Sequence, residues 1–311
     1  MSVVRYVPFN HDKSEKLGAV ICLGNFDGVH IGHAKLVEES IKISRALPEA
    51  TRACALCFDP FPADFFSKFP VRHIMTLDEK LDTFNKMGLD GAYVCDFGKV
   101  FDLSPESFIN NILVGECNCV GAVCGFNYRF GKGASGTPEM LKSHFDNFKM
   151  VEPVMLNWQT VSSSLIKENV EKGRVEDAGT MLGRPFSISH TVVHGKNLGT
   201  KLGFPTLNHI FEKSELVPAF GIYATLTEIC GDEYISVTNI GTRPTVSDSD
   251  TVTCETYIIN YPEGADLYGK KVKISFFQKI RDEKRFSSLE ELSSAIAADV
   301  ENTKMFFFSK K

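Results

Sequence analysis

Residues 19–33 read AVICL followed by Gly24-Asn-Phe-Asp-Gly-Val-His-Ile-Gly-His33. The first five are a short apolar run, as expected of a strand buried on both faces. The next ten hold three glycines, and residues 34–46 continue with helical spacing. A glycine-rich turn between strand and helix lets backbone N–H groups approach phosphate oxygens, and the helix N-terminus favours negative charge. His30 and His33, three apart, can face one ligand there. For phosphoryl or nucleotidyl transfer, two imidazole donors suffice to align reactants and stabilise charge, with no nucleophile needed. A solvated histidine pair or part of a metal site are the alternatives.

Outward from this turn, apolar runs alternate with helical patterns. Strands are expected at 53–58 (ACALCF), 91–97 and 119–124. A helix over 77–87 opens with the capping box Thr76-Leu-Asp-Glu79 and closes at Gly88, and Ser104 caps another helix with Pro105 in its first turn. Alternating β and α elements imply a parallel, helix-covered α/β sheet, whose ligands bind at the carboxyl ends of the strands.

The 311 residues carry 34 Lys plus Arg against 39 Asp plus Glu, a net charge of −5, with 43% hydrophobic residues. This is an ordinary globular composition, and at roughly 100 to 200 residues per domain it suggests two domains. No basic excess favours nucleic acid, and no run approaches the roughly 18 apolar residues of a membrane span. The start lacks a secretory signal, so a cytoplasmic protein without membrane or nucleic-acid partners is expected. Seven of the nine cysteines lie in or beside apolar segments of the first 124 residues. Cys54 and Cys57 match C-x-x-C, but a spacing of three sends them to opposite faces of a strand, which argues against a redox or zinc pair.

The texture changes after residue 160, where a charged helical stretch, SSSLIKENVEKGRVEDAGTML, leads to Gly183-Arg-Pro185. The domain boundary is placed there, giving domains 1–182 and 183–311. Beyond it, FSISHTVVHG, GIYATLTEICG, EYISVTNIG, TCETYIINY and KVKISFFQKI read as strands of a compact antiparallel β-barrel. A closing helix starts at the capping box Ser287-Ser-Leu-Glu290, and Leu289, Leu292, Ile296 and Val300 form its apolar stripe.

Three further patterns bear on chemistry. Gly131-Lys-Gly-Ala-Ser-Gly136 matches G-x-G-x-x-G far from the first βα unit, and reads as a flexible loop near a nucleotide. In Gly195-Lys-Asn-Leu-Gly-Thr-Lys-Leu-Gly-Phe-Pro-Thr-Leu-Asn208, Thr206 and Asn208 share one face of an extended segment. They could hold Mg²⁺ beside nucleotide phosphates, or form an ordinary polar strand face. Glu255, within the β-branched TVTCETYII, shares a face with Thr253 and Tyr257. It is either a strand-edge charge or a base for an alcohol attacking ATP.

GNFDGVHIGH, RHIMTLDEK, GFNYRFGKGASG, VSSSLIK, LGRPF, HGKNLGTKLGFPTLN, GIYA, NIGTRPT, DLYG and KIRDEKRFSSLEEL occur in this order along nearly the whole chain. In this the chain resembles the bifunctional prokaryotic FAD synthetases. The resemblance implies a Rossmann-like FMN adenylyltransferase domain followed by a six-stranded riboflavin kinase barrel, converting riboflavin to FMN and then FAD with ATP and Mg²⁺. His30 and His33 would then stabilise adenylyl transfer. Gly24, Phe26, Asp27, Gly32, Asn127, Ser164 and Lys167 would bind nucleotide in the first domain, and Gly195, Lys201, Gly203, Phe204 and Pro205 in the second. Thr206 and Asn208 would hold Mg²⁺, Glu255 would be the kinase base, and Arg281, with Asn127, would contact flavin. The sequence leaves open whether the chain is a homo-oligomer.

The chain departs from the family pattern mainly in the first domain. In Ser162-Ser-Ser-Leu-Ile-Lys167 a Lys stands where the family has Arg, losing the bidentate fork while keeping the charge. Phe61, in Asp59-Pro-Phe-Pro62, occupies a position where many members carry His. Thr200 replaces a common basic residue, with Lys201 adjacent. The alternatives are a riboflavin kinase with a weakened first domain and a flavin-binding protein that retains both folds without catalysis.

Overall fold

A computed structural model of the chain describes residues 3–9, 17–193, 199, 202–243, 251–262 and 267–309. By compactness it divides into Met1–Ser163 and Ser164–Lys311.

The first unit runs β1 (Val4–Pro8), β2 (Gly18–Leu23), α1 (Ile31–Ala46), β3 (Thr51–Asp59), α2 (Pro62–Phe66), α3 (Leu77–Lys86) and β4 (Gly91–Asp96). It continues with α4 (Pro105–Ser107), a π-helical stretch (Phe108–Glu116), β5 (Cys119–Gly125), α5 (Pro138–His144), β6 (Asn147–Val151), β7 (Met155–Leu156) and β8 (Gln159–Thr160). Its main sheet has the order β1-β4-β3-β2-β5-β6. Strands β2 to β6 are parallel, while β1 adds antiparallel to β4. Counting from β2, the parallel order is 3-2-1-4-5, so the chain reverses direction across the sheet on either side of β2. The carboxyl end of β2 is therefore the topological switch point, where such folds bind their ligands.

Each face of this sheet has its own core. Cys54, Leu56 and Phe58 pack on one side, and Ala53, Ala55 and Cys57 on the other. Burial pushes the Cys57 thiol up to about 11 and the Cys54 thiol to about 12, so both act as apolar filler. The local signals at α3 and α4 operate as expected. Thr76 and Glu79 form the reciprocal capping box, and the chain leaves α3 through Gly88 at φ +87°, a conformation costly for other residues. Ser104 Oγ accepts from the Ser107 N–H.

The second unit begins with α6 (Ser163–Glu171) and α7 (Val175–Leu182), two helices broken at Gly173, φ +76°, rather than one continuous stretch. There follow β9 (Phe186–Thr191), β10 (Thr206–Ile210), β11 (Gly221–Ile229), β12 (Asp232–Arg243), β13 (Thr251–Ile258), β14 (Lys271–Arg281) and α8 (Leu289–Phe308). The six strands form one curled antiparallel sheet, β10-β13-β12-β11-β14-β9. Its two edges meet where the Val193 N–H donates to the Asn208 carbonyl at 2.8 Å. Inside the curl the core is partly hydroxylic. Thr225, Thr227, Ser236, Thr238 and Thr256 are fully buried and joined by hydrogen bonds of 2.8–2.9 Å. Buried hydroxyls are tolerable because each has a partner.

Helix α8 packs on β11, β12 and β14, but its start differs from expectation. Ser288 is the cap, accepting from the Glu291 N–H, while Glu291 reaches back to the Ser287 N–H and hydroxyl. The carboxylate at the third helical position belongs to Glu291, not Glu290, and that shifts the cap by one residue. Leu289 in the first turn stays exposed, whereas Val300 is buried and Leu292 and Ile296 are half-buried.

Candidate functional sites

The turn after β2 is tightly wound. Phe26, Gly28 and Val29 have φ of +52°, +88° and +39°. Positive φ in a β-branched residue such as Val29 is strain that the surroundings must maintain, and such strain concentrates at functional sites. Three side chains hold this turn. Phe26, fully buried, packs edge-on to Phe84 of α3 and against the His33 ring, both at 5.0 Å. Asp27, 6% exposed, accepts from the Ile74 N–H at 2.9 Å. Ser163 Oγ donates to the Asp27 carbonyl at 2.7 Å. The side chains of Phe26 and Asp27 thus support the turn from within. Burying an aromatic ring of this kind contributes about 2 kcal/mol.

His30 is the N-cap of α1. Its Nδ1 accepts from the Gly32 and His33 N–H groups at 3.1 and 3.3 Å. In the neutral ring the proton then sits on Nε2, which makes that nitrogen a donor. A Cβ at Gly32 would lie 3.0 Å from the His30 ring, so glycine there permits the cap. His33 stacks on His30 at 3.7 Å, with the rings 19° apart. Burial, then His30 and Lys80, hold His33 well below the usual imidazole range, so it is neutral at physiological pH. The first turn of α1 contains no acidic residue to compete with an anion for its positive end.

A cavity of about 300 Å³ opens at the carboxyl ends of the neighbouring strands. Its walls include Phe58, Phe66, Phe97, Phe108, Tyr128 and Phe130, and Asn25 of the turn also borders it. The Tyr128 hydroxyl is buried without a hydrogen-bond partner among the described residues. Gly131 and Gly133 of the second glycine cluster line the same cavity, so that loop does sit beside a candidate ligand site. Asn127 is exposed in the turn after β5 and is not among the lining residues. The aromatic wall was missed in the sequence because its members come from four separate segments: the end of β3 with α2, the turn after β4, the π-helical stretch and the loop after β5. The signal was there in FPADFF and NYRF, each aromatic-rich just after a strand.

Ser164 is exposed and Lys167 half-buried on α6, in the second unit.

In the second unit, Glu255 on β13 stands in register between Asn208 on β10 and Asn239 on β12. Glu255, Asn239, Thr206 and Tyr257 line a cavity of about 230 Å³. Asn208 is 6% exposed, and its Nδ2 donates to the Thr206 carbonyl at 3.0 Å, which identifies the other amide atom as the acceptor Oδ1. Asn239 Oδ1 is buried with no hydrogen-bond partner among the described residues. Sequence reasoning passed over Asn239, although it opens NIGTRPT. Phe204 lines the cavity and meets Tyr257 edge-on at 5.3 Å, while Gly203, at φ +83°, and Pro205 are exposed. Gly199 approaches the Phe204 carbonyl so closely that a Cβ would strike it. Gly195, Thr200 and Lys201 lie outside the described residues. Arg281 reaches the cavity but spends its fork on Asp299 of α8, Nε to Oδ1 at 2.9 Å and Nη2 to Oδ2 at 2.7 Å.

These two sites belong to a two-part transferase, with a nucleotidyltransferase-like α/β unit joined to a kinase of curled-sheet form. Residues 12–165 match the FAD synthetase family and residues 182–307 the riboflavin kinase family. The chain is 32% identical over 306 residues to the bifunctional riboflavin kinase/FMN adenylyltransferase of Bacillus subtilis (strain 168), covering 96% of each chain. It is also 32% identical to the enzyme of that name from Escherichia coli (strain K12), covering 99% of this chain and 98% of the other. A crystal structure from Streptococcus pneumoniae, described as a macrolide-efflux protein, superposes with a TM-score of 0.85 at 29% identity. It covers 93% of this chain and 94% of that one. The chain belongs to the bifunctional riboflavin kinase/FMN adenylyltransferase family and carries both catalytic domains. No described helix is long and apolar enough to cross a membrane.

Proposed function

We propose that the second unit transfers the γ-phosphoryl group of ATP to the terminal ribityl hydroxyl of riboflavin, and the first joins FMN to the adenylyl group of a second ATP. In the kinase step Glu255 accepts the hydroxyl proton as the oxygen attacks the γ-phosphorus and ADP leaves. Thr206 and Asn208, beside Glu255, offer the oxygen donors that suit Mg²⁺, which would neutralise phosphate charge. In the second step an FMN phosphate oxygen attacks the α-phosphorus and pyrophosphate leaves. His30 Nε2 and His33 stabilise the transferring phosphate, and the α1 N-terminus adds its dipole.

The observation that carries the adenylyltransferase assignment is Asn25, which belongs both to the phosphate turn and to the aromatic cavity. The flat flavin ring fits between phenyl walls, with the Tyr128 hydroxyl available to its polar edge. Lys167, on α6, keeps the positive charge where the family pattern has Arg, as a point charge rather than a fork. We place the boundary between functional modules at 182/183, supported by the start of the riboflavin kinase match at residue 182. We also place the protein in the cytoplasm, where thiols stay reduced, because eight of its nine cysteines are buried as free thiols.

Chromatography of purified protein with riboflavin, ATP and Mg²⁺, repeated from FMN, tests both halves. FMN followed by FAD is the expected result, and FMN alone would mean that the first domain has lost its chemistry.

A further inference from the structure

Beneath the phosphate turn lies a buried cation that the reaction scheme leaves unused. Lys80 of α3 is fully buried. Its Nζ donates to the Asn25 carbonyl at 3.1 Å and sits 3.7 Å over the Phe61 ring. Among the described residues it forms no ion pair. His73 stacks on the same Phe61 ring at 4.1 Å, 11° from parallel. There it is held between Asp64, at 2.8 Å, and Asp27, at 3.7 Å. Phe61 therefore contacts both basic side chains.

This arrangement costs stability. An ammonium with no carboxylate within ion-pair reach is expensive to bury, since Asp27 and Asp59 act on it only from farther off, and one turn into α3 it also opposes the helix dipole. Replacing such a charge with an apolar group of similar volume is commonly neutral or stabilising. Leu or Met would fill the space, so packing does not explain a lysine here. What a lysine supplies, and a hydrophobe cannot, is a positive charge and a donor at the base of the Gly24–His33 turn. Phe84, one turn further along α3, packs on Phe26 of the same turn. The helix thus grips the turn at two points, one apolar and one charged.

We infer that Lys80 is a positioning residue for adenylyl transfer, fixing the turn through the Asn25 carbonyl and placing a desolvated positive charge beneath the ATP phosphates. In a low-dielectric setting such a charge is preorganised to stabilise the phosphate charge that develops as pyrophosphate leaves. This rests on reading the Gly24–His33 turn as the adenylyl-transfer site.

The test uses the full chain and compares Lys80→Met, Lys80→Arg and His33→Ala. Riboflavin phosphorylation by the same samples measures the intact second unit, and the melting temperature reports on the first. Lys80→Met is expected to lower kcat for FAD formation about 100-fold and to change the KM for FMN by less than about threefold. Its melting temperature should equal or exceed that of the parent, and Lys80→Arg should retain more activity than Lys80→Met. Parent-like FAD formation in Lys80→Met, a lower melting temperature that tracks the lost activity, or an Arg variant no better than Met would each overturn the inference. If His33→Ala still makes FAD at the parent rate, the site reading falls and the inference with it. If His33→Ala loses FAD formation while Lys80→Met keeps it, the inference alone fails.

Discussion

Arg281 and Asp299 form a two-pronged ion pair that ties the end of β14 to α8 at the edge of the kinase cavity. Asp299 is 3% exposed, so its carboxylate depends on this partner. Arg281→Met should cost about 3 kcal/mol, because it strands a buried charge. Asp299→Leu should cost less, since Arg281 can turn toward solvent. Calorimetry of the two variants checks the order, and parent-like melting temperatures in both would show that the pair contributes nothing. Arg281 is accordingly a structural anchor first, and any flavin contact would use the face of the guanidinium rather than its occupied fork.

The two active sites should be separable by substitution. Glu255→Gln keeps the shape of the side chain but cannot take a proton. It should lower FMN formation by about 100-fold or more, while FAD formation from supplied FMN continues. His30→Ala should do the reverse. It should also destabilise the first unit by about 1 kcal/mol, because the same ring caps α1. Assays of each step in each variant decide the matter, and loss of both steps in either variant would sink the two-site assignment.

Much of this was legible in the sequence where local chemistry dictates structure. Thr76 with Glu79, Ser104 with Pro105, and the glycines around His30 announced their elements, because caps and turns are set by residues a few positions apart. Strands β1 and β6 were not legible. VRYVP and NFKMV are short, half-exposed and mixed in polarity, and they become strands only because the edges of a parallel sheet receive them. The candidate site divides the same way. His30, His33, Thr206, Asn208 and Glu255 declare their chemistry by residue type and spacing, whereas Lys80 and Asn239, although they lie in RHIMTLDEK and NIGTRPT, acquire their roles from long-range packing, as does the aromatic cavity. A motif also does not record which way a side chain faces: the Phe26 ring packs inward, on Phe84 and His33.

Asn239 gives a test of the kinase cavity that separates function from stability. Its Oδ1 is buried beside Glu255 with no hydrogen-bond partner among the described residues, a cost that a substrate hydroxyl would relieve. Asn239→Leu should leave stability unchanged or raise it by up to about 1 kcal/mol. It should also lower kcat/KM for riboflavin by about tenfold. Parent-like FMN formation by the variant would show that the amide is not used.

The pH dependence of the second unit should be set in part by His209. This residue is fully buried, and burial followed by the neighbouring His190 pushes its pKa down to about 4. Its Nδ1 lies 3.4 Å from the Thr191 carbonyl, and its Nε2 is buried without a partner among the described residues, so protonation would leave an N–H unsatisfied. His190 approaches Glu215 at 3.2 Å, which makes that carboxylate the nearest counter-charge in the cluster. Because the folded pKa lies below the unfolded value near 6.5, the unfolded chain binds the proton more readily. Stability is therefore full above about pH 6.5 and falls as the pH drops toward about 4, by about 3 kcal/mol if His209 acts alone. Denaturant unfolding between pH 7 and 4 should show this decline, and His209→Phe should flatten it. An unchanged slope in that variant would assign the decline to other groups.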